Sequence, residues 1–269
     1  MKIDSTKLIY FSPTQTTRKV VESIAQGIQI VPVEHVDLTL PPAGMQELVE
    51  MHDELAIIGS PVYAGRLPVD VISRFLQLKG NATPAVIVVV YGNRAYEDAL
   101  LELRDLVIEL GFKPIAAGAF IGEHSYSNKL TPVAVGRPDM GDLIKATQFG
   151  QTVYEKIRDI RKHDEMIPLK VPGNFLYKEL RMLSDIAPVT QEVICSKCAT
   201  CASVCPTAAI SVEDKVVSNS SLCIRCCACI KSCPTGARTM EDQRVRQLAE
   251  WLKTNCSERK EPEMYMSQC

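Results

Sequence analysis

Nine cysteines lie between Cys195 and Cys233, and eight of them keep a regular spacing. The first run is Cys195, Cys198, Cys201 and Cys205, closed by Pro206; the second is Cys223, Cys226, Cys229 and Cys233, closed by Pro234. Three sulfurs set two residues apart on a tight loop converge on three corners of an inorganic cube while a fourth arrives from elsewhere, so the two runs predict two [4Fe-4S] clusters. In this pattern the last cysteine of each run serves the other cluster. Cluster one then takes Cys195, Cys198, Cys201 and Cys233, and cluster two takes Cys223, Cys226, Cys229 and Cys205. Zinc closes with four ligands and has no use for a third cysteine at the same spacing or for the trailing Cys-Pro. A disulfide framework suits small secreted chains, not a long α/β chain whose thiols stay reduced. CPTAA at 205–209 is answered by CPTGA at 233–237, which predicts a pseudo-twofold module. Cys227, beside the ligand Cys226, reads as a small buried residue or as an alternative ligand, and Cys256 and Cys269 read as free thiols.

Three stretches in the first half of the chain carry a different chemistry. Ser12-Pro13-Thr14-Gln15-Thr16-Thr17 opens directly into a helical pattern, and its hydroxyls, backbone amides and helix dipole can together hold a phosphate without a lysine or arginine. The same run also fits an ordinary hydroxyl-rich turn with an N-cap. Gly59 to Pro68 (GSPVYAGRLP) and Tyr91 to Glu97 (YGNRAYE) each combine glycine, which permits close backbone approach, with an aromatic able to lie against a flat ring. For Tyr63 and Tyr96 the competing reading is a half-buried tyrosine with a satisfied hydroxyl. No G-x-G-x-x-G follows the first strand, so a Rossmann dinucleotide site has no support.

The elements that must position these loops alternate along the first 160 residues. Strands are predicted at 7–11, 33–37, 55–59, 85–91 and 114–120, and helices at 16–28, 69–78, 96–110 and 142–161. Short Val/Ile-rich strands separated by amphipathic helices predict an α/β fold, a five-stranded parallel sheet with helices on both faces. Ligands of such sheets bind beyond the carboxyl ends of the strands, where strand order reverses, and the three loops lie at those ends. The connection from Gly122 to Gly141 is long for a compact unit and lies at the same end, as a lid or a docking surface. His124 in it is a candidate proton donor, with a loop hydrogen bond as the alternative. Residues 162–190 read as a partly helical linker in which Phe175, Leu176, Leu180 and Leu183 recur at helical spacing. A C-terminal helix over 241–255, with Val245, Leu248, Trp251 and Leu252 on one face, precedes a polar tail over 257–269. Both segments are expected to clamp the cysteine module to the first domain; self-association is the other reading of Trp251.

The cysteine runs resemble those of bacterial two-cluster ferredoxins over residues 191–240. FSPTQTT, GSPVYAGRLP and YGNRAYED resemble the phosphate loop and the two ring-contacting loops of flavodoxin-type FMN proteins over residues 3–161. Gln15 stands where that family has glycine, and Ser12 replaces its first threonine. The resemblance implies a flavodoxin-like domain over 1–161 with FMN held by Ser12, Thr14, Gln15, Thr16, Thr17, Pro61, Val62, Tyr63, Ala64, Gly65, Tyr91, Gly92, Asn93, Arg94 and Tyr96. It implies a small α+β bacterial-ferredoxin-like domain behind it. Arg66 and Arg94 then lie in ring-contacting loops, where positive charge favours the anionic reduced flavin; for Arg66 a solvated loop arginine is the plainer reading. The whole chain is similar to the flavodoxin-ferredoxin fusion proteins of anaerobic bacteria and archaea often called EFR-family ferredoxins.

Composition bounds the partners. The 30 Lys and Arg against 32 Asp and Glu leave a net charge of −2, with no basic stripe for nucleic acid. The longest apolar run, 85–91, falls short of the roughly 18 residues of a membrane span, and the N-terminus is too polar for a signal peptide, so a cytoplasmic protein is expected. Residues 191–240 hold five Lys/Arg and three Asp/Glu, but each oxidised cluster with its four thiolates adds about −2, which reverses the sign of the module. Two functions follow as expectations. One is an electron carrier between the clusters and FMN, serving a redox partner protein such as a ferredoxin, a reductase or an electron-acceptor enzyme. The other is a ferredoxin-fed FMN oxidoreductase acting on a small-molecule acceptor such as a quinone or nitro compound.

Overall fold

A computed structural model describes residues 3–41, 49–159, 168–180 and 183–267. Arg161, the first residues of the linker and Cys269 lie outside the described residues. The chain runs β1 (Ser5–Tyr10), α1 (Thr16–Ile28), β2 (Val33–Asp37), β3 (Val49–Met51), β4 (Glu54–Pro61), α2 (Val69–Phe75), β5 (Leu78–Gly80), β6 (Thr83–Tyr91), α3 (Ala99–Glu109), β7 (Phe112–Ile121) and α4 (Met140–Asp159). β2, β1, β4, β6 and β7 pair in that order, all parallel. Counted as the five principal strands, the order is 2-1-3-4-5, the flavodoxin-like winding whose reversal lies between the first and third. β3 and β5 form a separate parallel pair. Among the described residues no helix is long and apolar enough to cross a membrane.

Both faces of the sheet are covered, and the strand alternation shows how. Leu8, Leu55, Ile57, Val86 and Val88 point to one side, where Val20, Ile24 and Ile28 of α1 and Ala146, Phe149 and Val153 of α4 pack on them. Ile9, Ala56, Ile58, Ile87 and Val89 point to the other, against Val71 and Phe75 of α2 and Leu100, Leu103 and Val107 of α3. All nine residues of β6 are buried, which is why that segment reads as a continuous apolar run. α1 and α4 cross at Gly27 and Gly150: a Cβ on Gly27 would stand 1.9 Å from the Thr147 carbonyl oxygen, and one on Gly150 would stand 2.1 Å from that of Ile24.

The cysteine-rich segment folds as β8 (Val189–Thr190), α5 (Thr200–Ser203), β9 (Ile210–Val212), β10 (Val216–Ser218), α6 (Ala228–Lys231) and β11 (Arg238–Thr239). β9 pairs with β10 and β8 with β11, both antiparallel. Its halves repeat 28 residues apart, as the starts of α5 and α6 do at Thr200 and Ala228. Positive φ recurs with the same offset at Lys197 and Arg225, at Ala199 and Cys227, and at Ala208 and Gly236. The backbone thus carries the pseudo-symmetry that the CPTAA and CPTGA repeats announce.

Several sequence expectations change. α2 stops at Phe75 because Leu78 to Gly80 pair with β3, and the third long helix begins at Ala99, beyond Tyr96. Strand β7 is longer than the predicted 114–120. The linker holds no helix among its described residues, and Phe175 and Leu176 are 79% and 82% exposed. Its backbone is engaged elsewhere: the Asp98 carboxylate accepts from the amides of Asn174 (2.9 Å) and Lys178 (2.7 Å), and Arg66 donates to the Lys178 carbonyl. Tyr177 adds a hydrogen bond to Asp105. The expected C-terminal helix is α7 (Gln243–Asn255), capped by the Asp242 carboxylate on the Arg244 amide. The expected polar tail contains β12 (Glu263–Met266), an antiparallel sixth strand on the edge of β7 that runs from Glu263 opposite Ala119 to Met266 opposite Ala116.

Candidate functional site

At the carboxyl ends of β1, β4 and β6 the three predicted loops surround a cleft with about 180 Å³ of internal space. Thr14 and Thr16 come from the first loop, Pro61, Val62, Tyr63 and Ala64 from the second, and Tyr91, Gly92 and Arg94 from the third. Gly92 is required there, because a Cβ on it would stand 2.4 Å from Cδ2 of His124.

The remaining candidates support the cleft from outside its lining. Ser12 is buried, its hydroxyl accepting from the Arg18 amide (3.0 Å) and its own amide donating to Thr39 (2.8 Å). Gln15 adopts the left-handed conformation at φ 63, the torsion a glycine would take, and its side-chain amide donates back to the Ser12 carbonyl (3.1 Å). That bond holds the loop but leaves Gln15 itself without a cap on α1, whose Arg18 amide is taken by the Ser12 hydroxyl instead. Gly65 packs beneath Glu97 at φ +83. Asn93 donates to the carbonyls of Cys256 (2.7 Å) and Glu258 (2.8 Å). Tyr96 is not among the residues that line the cleft: its hydroxyl meets Glu263 (2.8 Å) and Tyr265 (2.9 Å) and fastens β12. Nor is Arg66 at the cleft, since it forms a two-pronged pair with the buried Glu102 carboxylate. Arg94 does line the cleft, paired with Glu97 at 2.7 Å.

Two buried polar atoms at this end of the sheet have no partner, Oγ1 of Thr17 and Oδ1 of Asn93. An unsatisfied buried polar atom costs about 1–3 kcal/mol, so both fit a ligand or water that would complete them. Together with Thr14, Thr16, the amino end of α1 and the tyrosine-bearing loops, they fit a ligand with a phosphate at one end and a flat ring at the other.

The other walls come from four places, one of them the cysteine module through Ile224 and Arg225. The 122–141 connection contributes Gly122, Glu123, His124, Ser125 and Tyr126; the linker contributes Leu183; α7 contributes Leu248 and Leu252. Leu252 is buried with Val133 and Cys256 in a small core that holds α7 against the connection. Leu248 and Leu252 were legible as an apolar helix face, but only the docked helix shows that the face closes a cleft. Glu123 also pairs with Lys231 of α6 at 2.6 Å, so the connection docks the cysteine module as well as walling the cleft.

His124 is neutral here. Burial, followed by the positive charges of Lys231 and Arg94, brings its pKa down to about 4. Its Nδ1 accepts from the Tyr126 amide at 3.0 Å, which leaves Nε2–H as the donor of the ring. Burial also pushes the hydroxyls of Tyr91 and Tyr126 up to about 12, so both stay protonated. Because the unfolded chain takes up a proton near pH 6.5 that the folded chain refuses until about pH 4, this histidine removes stability as pH falls. Relative to His124→Asn, the wild type is expected to lose about 2 kcal/mol between pH 7 and pH 5. Urea unfolding of both proteins at the two pH values measures it, and parallel pH dependences would contradict a desolvated neutral imidazole.

The eight patterned cysteines ring two small cavities. Cys195, Cys198, Cys201 and Cys233 line one, and Cys205, Cys223, Cys226 and Cys229 line the other. The last cysteine of each run thus stands with the other run's first three. Among the described residues no group of three His, Cys, Asp or Glu is arranged to hold a single metal ion. Of the first set Cys198 is exposed and Cys195 and Cys233 are half-buried; in the second only Cys223 is not fully buried. Cys227 lines the second cavity, with its thiol donating to the Arg225 carbonyl at 3.5 Å. Ile224 lines both this cavity and the loop cleft, so the two spaces meet at this residue. Arg74 bridges the two parts beside it, donating to the carbonyls of Leu38 and Pro206.

The family model for the 4Fe-4S binding domain matches residues 216–239. A search of curated proteins found no match. Among solved structures the chain is similar to a flavodoxin from the domain Archaea (14% identity, 57% of this chain and 99% of that one, TM-score 0.37). It is also similar to flavodoxin 1 of Bacillus cereus (18%, 56% and 97%, 0.40) and to a Fusobacterium nucleatum flavodoxin bound to flavin mononucleotide (16%, 59% and 99%, 0.39). By its own strand order and by the cysteine segment that the family model matches, the chain joins a flavodoxin-like domain to a 4Fe-4S binding domain, the arrangement of a flavodoxin-ferredoxin fusion.

Proposed function

We propose that the protein transfers electrons between two [4Fe-4S] clusters and an FMN, as a cytoplasmic carrier for a redox partner protein. The observation that carries this reading is the sharing of Ile224 between the loop cleft and the cavity of Cys205, Cys223, Cys226 and Cys229. It puts the buried thiol set beside the cleft, while the set with the exposed Cys198 faces outward to a partner. Clusters pass electrons singly and FMN takes one or two, so the pairing supplies conversion between the two modes. The chain's own residues hold and shield. Thr14 and Thr16 and the start of α1 receive the phosphate, Tyr63 and Tyr91 flank the ring, and Leu183, Leu248 and Leu252 exclude water. The crossed thiol sets make both halves of the module necessary to either cluster.

A second reading, a flavoenzyme reducing a quinone or nitro compound, is favoured by the walled cleft with Nε2–H of His124 as a hydrogen-bond donor. Anaerobically purified protein is expected to contain about eight iron and eight sulfide per chain with one FMN, and dithionite is expected to bleach both chromophores. Protein reconstituted with iron and sulfide that still lacks the cluster spectrum would refute the proposal. Turnover of quinones or nitro compounds with reduced ferredoxin would decide for the enzyme over the carrier.

A further inference from the structure

Arg238 occupies a position that the fold of the cysteine module does not call for. Its backbone lies on β11 opposite Thr190, and its side chain, 2% exposed, lines both thiol-ringed cavities. The guanidinium donates to the hydroxyls of Thr190 (2.5 Å) and Ser218 (2.6 Å) and to Sγ of Cys229 at 3.9 Å. Its Nε–H is buried without a partner. Among the described residues none of its hydrogen-bond partners is a carboxylate. The residue 28 positions earlier, its counterpart in the first half, is the apolar Ile210, which lines only the second cavity. One half of a pseudo-symmetric module therefore folds with an aliphatic side chain where the other buries a permanent charge.

A buried cation with neutral neighbours is costly unless something opposite in sign completes the site. Two clusters of about −2 each would do so. Resting on the two-cluster reading above, we infer that Arg238 is a shared counter-charge set between the clusters, which raises the reduction potential of both. Each reduction adds one negative charge to a cluster, and a fixed positive charge in a desolvated interior favours that added electron. A residue touching only one cavity would shift one couple; Arg238 touches both.

The test is an EPR-monitored redox titration of the full-length protein with both clusters loaded. Arg238→Gln keeps a polar side chain but carries no charge. It is expected to make reduction of each cluster at least tenfold less favourable, about 59 mV lower for a one-electron couple. Arg238→Lys is expected to stay near the wild-type values, and so is Ser218→Ala, which removes an anchor of the guanidinium and leaves its charge. Unmoved potentials in Arg238→Gln, a shift of only one cluster, or an equal shift in Ser218→Ala would overturn the inference. Loss of clusters from Arg238→Gln with full loading of Arg238→Lys would support it, whereas loss from both would place the arginine's role in folding and overturn it. A wild-type protein with about four iron instead of eight would overturn the two-cluster reading too, and iron content shows this before any potential is measured.

Discussion

Replacing Cys205 and Cys223 together by alanine is expected to leave about four of eight iron atoms, because both thiols belong to one cluster. Replacing Cys205 and Cys195 together is expected to leave almost none, because those thiols belong to different clusters. The contrast isolates crossed ligation from everything else. If each run held its own cluster, the outcomes would exchange: Cys205 and Cys195 lie in the same run, while Cys205 and Cys223 do not. The grouping of Cys205 with Cys223, Cys226 and Cys229 around one cavity supports the first pattern. Iron and sulfide analysis of the two double variants, expressed and reconstituted in parallel, is sufficient. Equal iron in both would reject crossed ligation.

Ending the chain after Glu258 is expected to destabilise the N-terminal domain by about 3–5 kcal/mol, from the loss of several hydrogen bonds at about 1 kcal/mol each together with the packing of an edge strand. The deletion removes β12 from the side of β7, takes away the partners of the Tyr96 hydroxyl and frees the Ile115 carbonyl that accepts from Ser267. It also removes Lys260, whose backbone carbonyl accepts from Arg137 at 2.7 Å beside the buried Arg137–Asp142 pair. Because Arg137 lies in the connection that walls the cleft, flavin retention is expected to fall at least tenfold along with stability. Denaturant unfolding and flavin release on dilution measure the two effects. Unfolding and release like those of the full chain would show that the strand is dispensable.

The loops and thiols of the site were legible because their chemistry depends on local spacing. Thr14, Thr16, Tyr63, Tyr91 and Gly92 converge at the ends of strands whose apolar runs announced a doubly covered sheet, and the cysteine interval announced the cavities. What spacing did not reveal were outcomes of competition between partners far apart in the chain. Tyr96 sits in a motif that promises a ring contact, yet Glu263 and Tyr265, some 170 residues later, take its hydroxyl. Phe175, Leu176 and Leu180 have helical spacing, but Asp98 captures the amides of Asn174 and Lys178, and that backbone is not helical. Arg66 was a ring-side candidate, but Glu102 of α3 holds it in a two-pronged pair. Gln15 shows the opposite case: a residue unsuited to its torsion still adopts it, because its side chain closes a bond back onto Ser12.

The short strand β12 also changes what kind of object the cysteine module is. The chain leaves the N-terminal sheet after α4, passes through the module and α7, and then comes back to finish that sheet with Glu263 beside Ala119. Topologically the module is an insert held at both ends, with two covalent crossings instead of the single hinge of a tethered arm. During synthesis the edge of β7 stays open until β12 emerges, after every patterned cysteine. Pairings of such sequence separation close slowly. The flavodoxin-like domain therefore begins folding before the cysteine module and is completed after it.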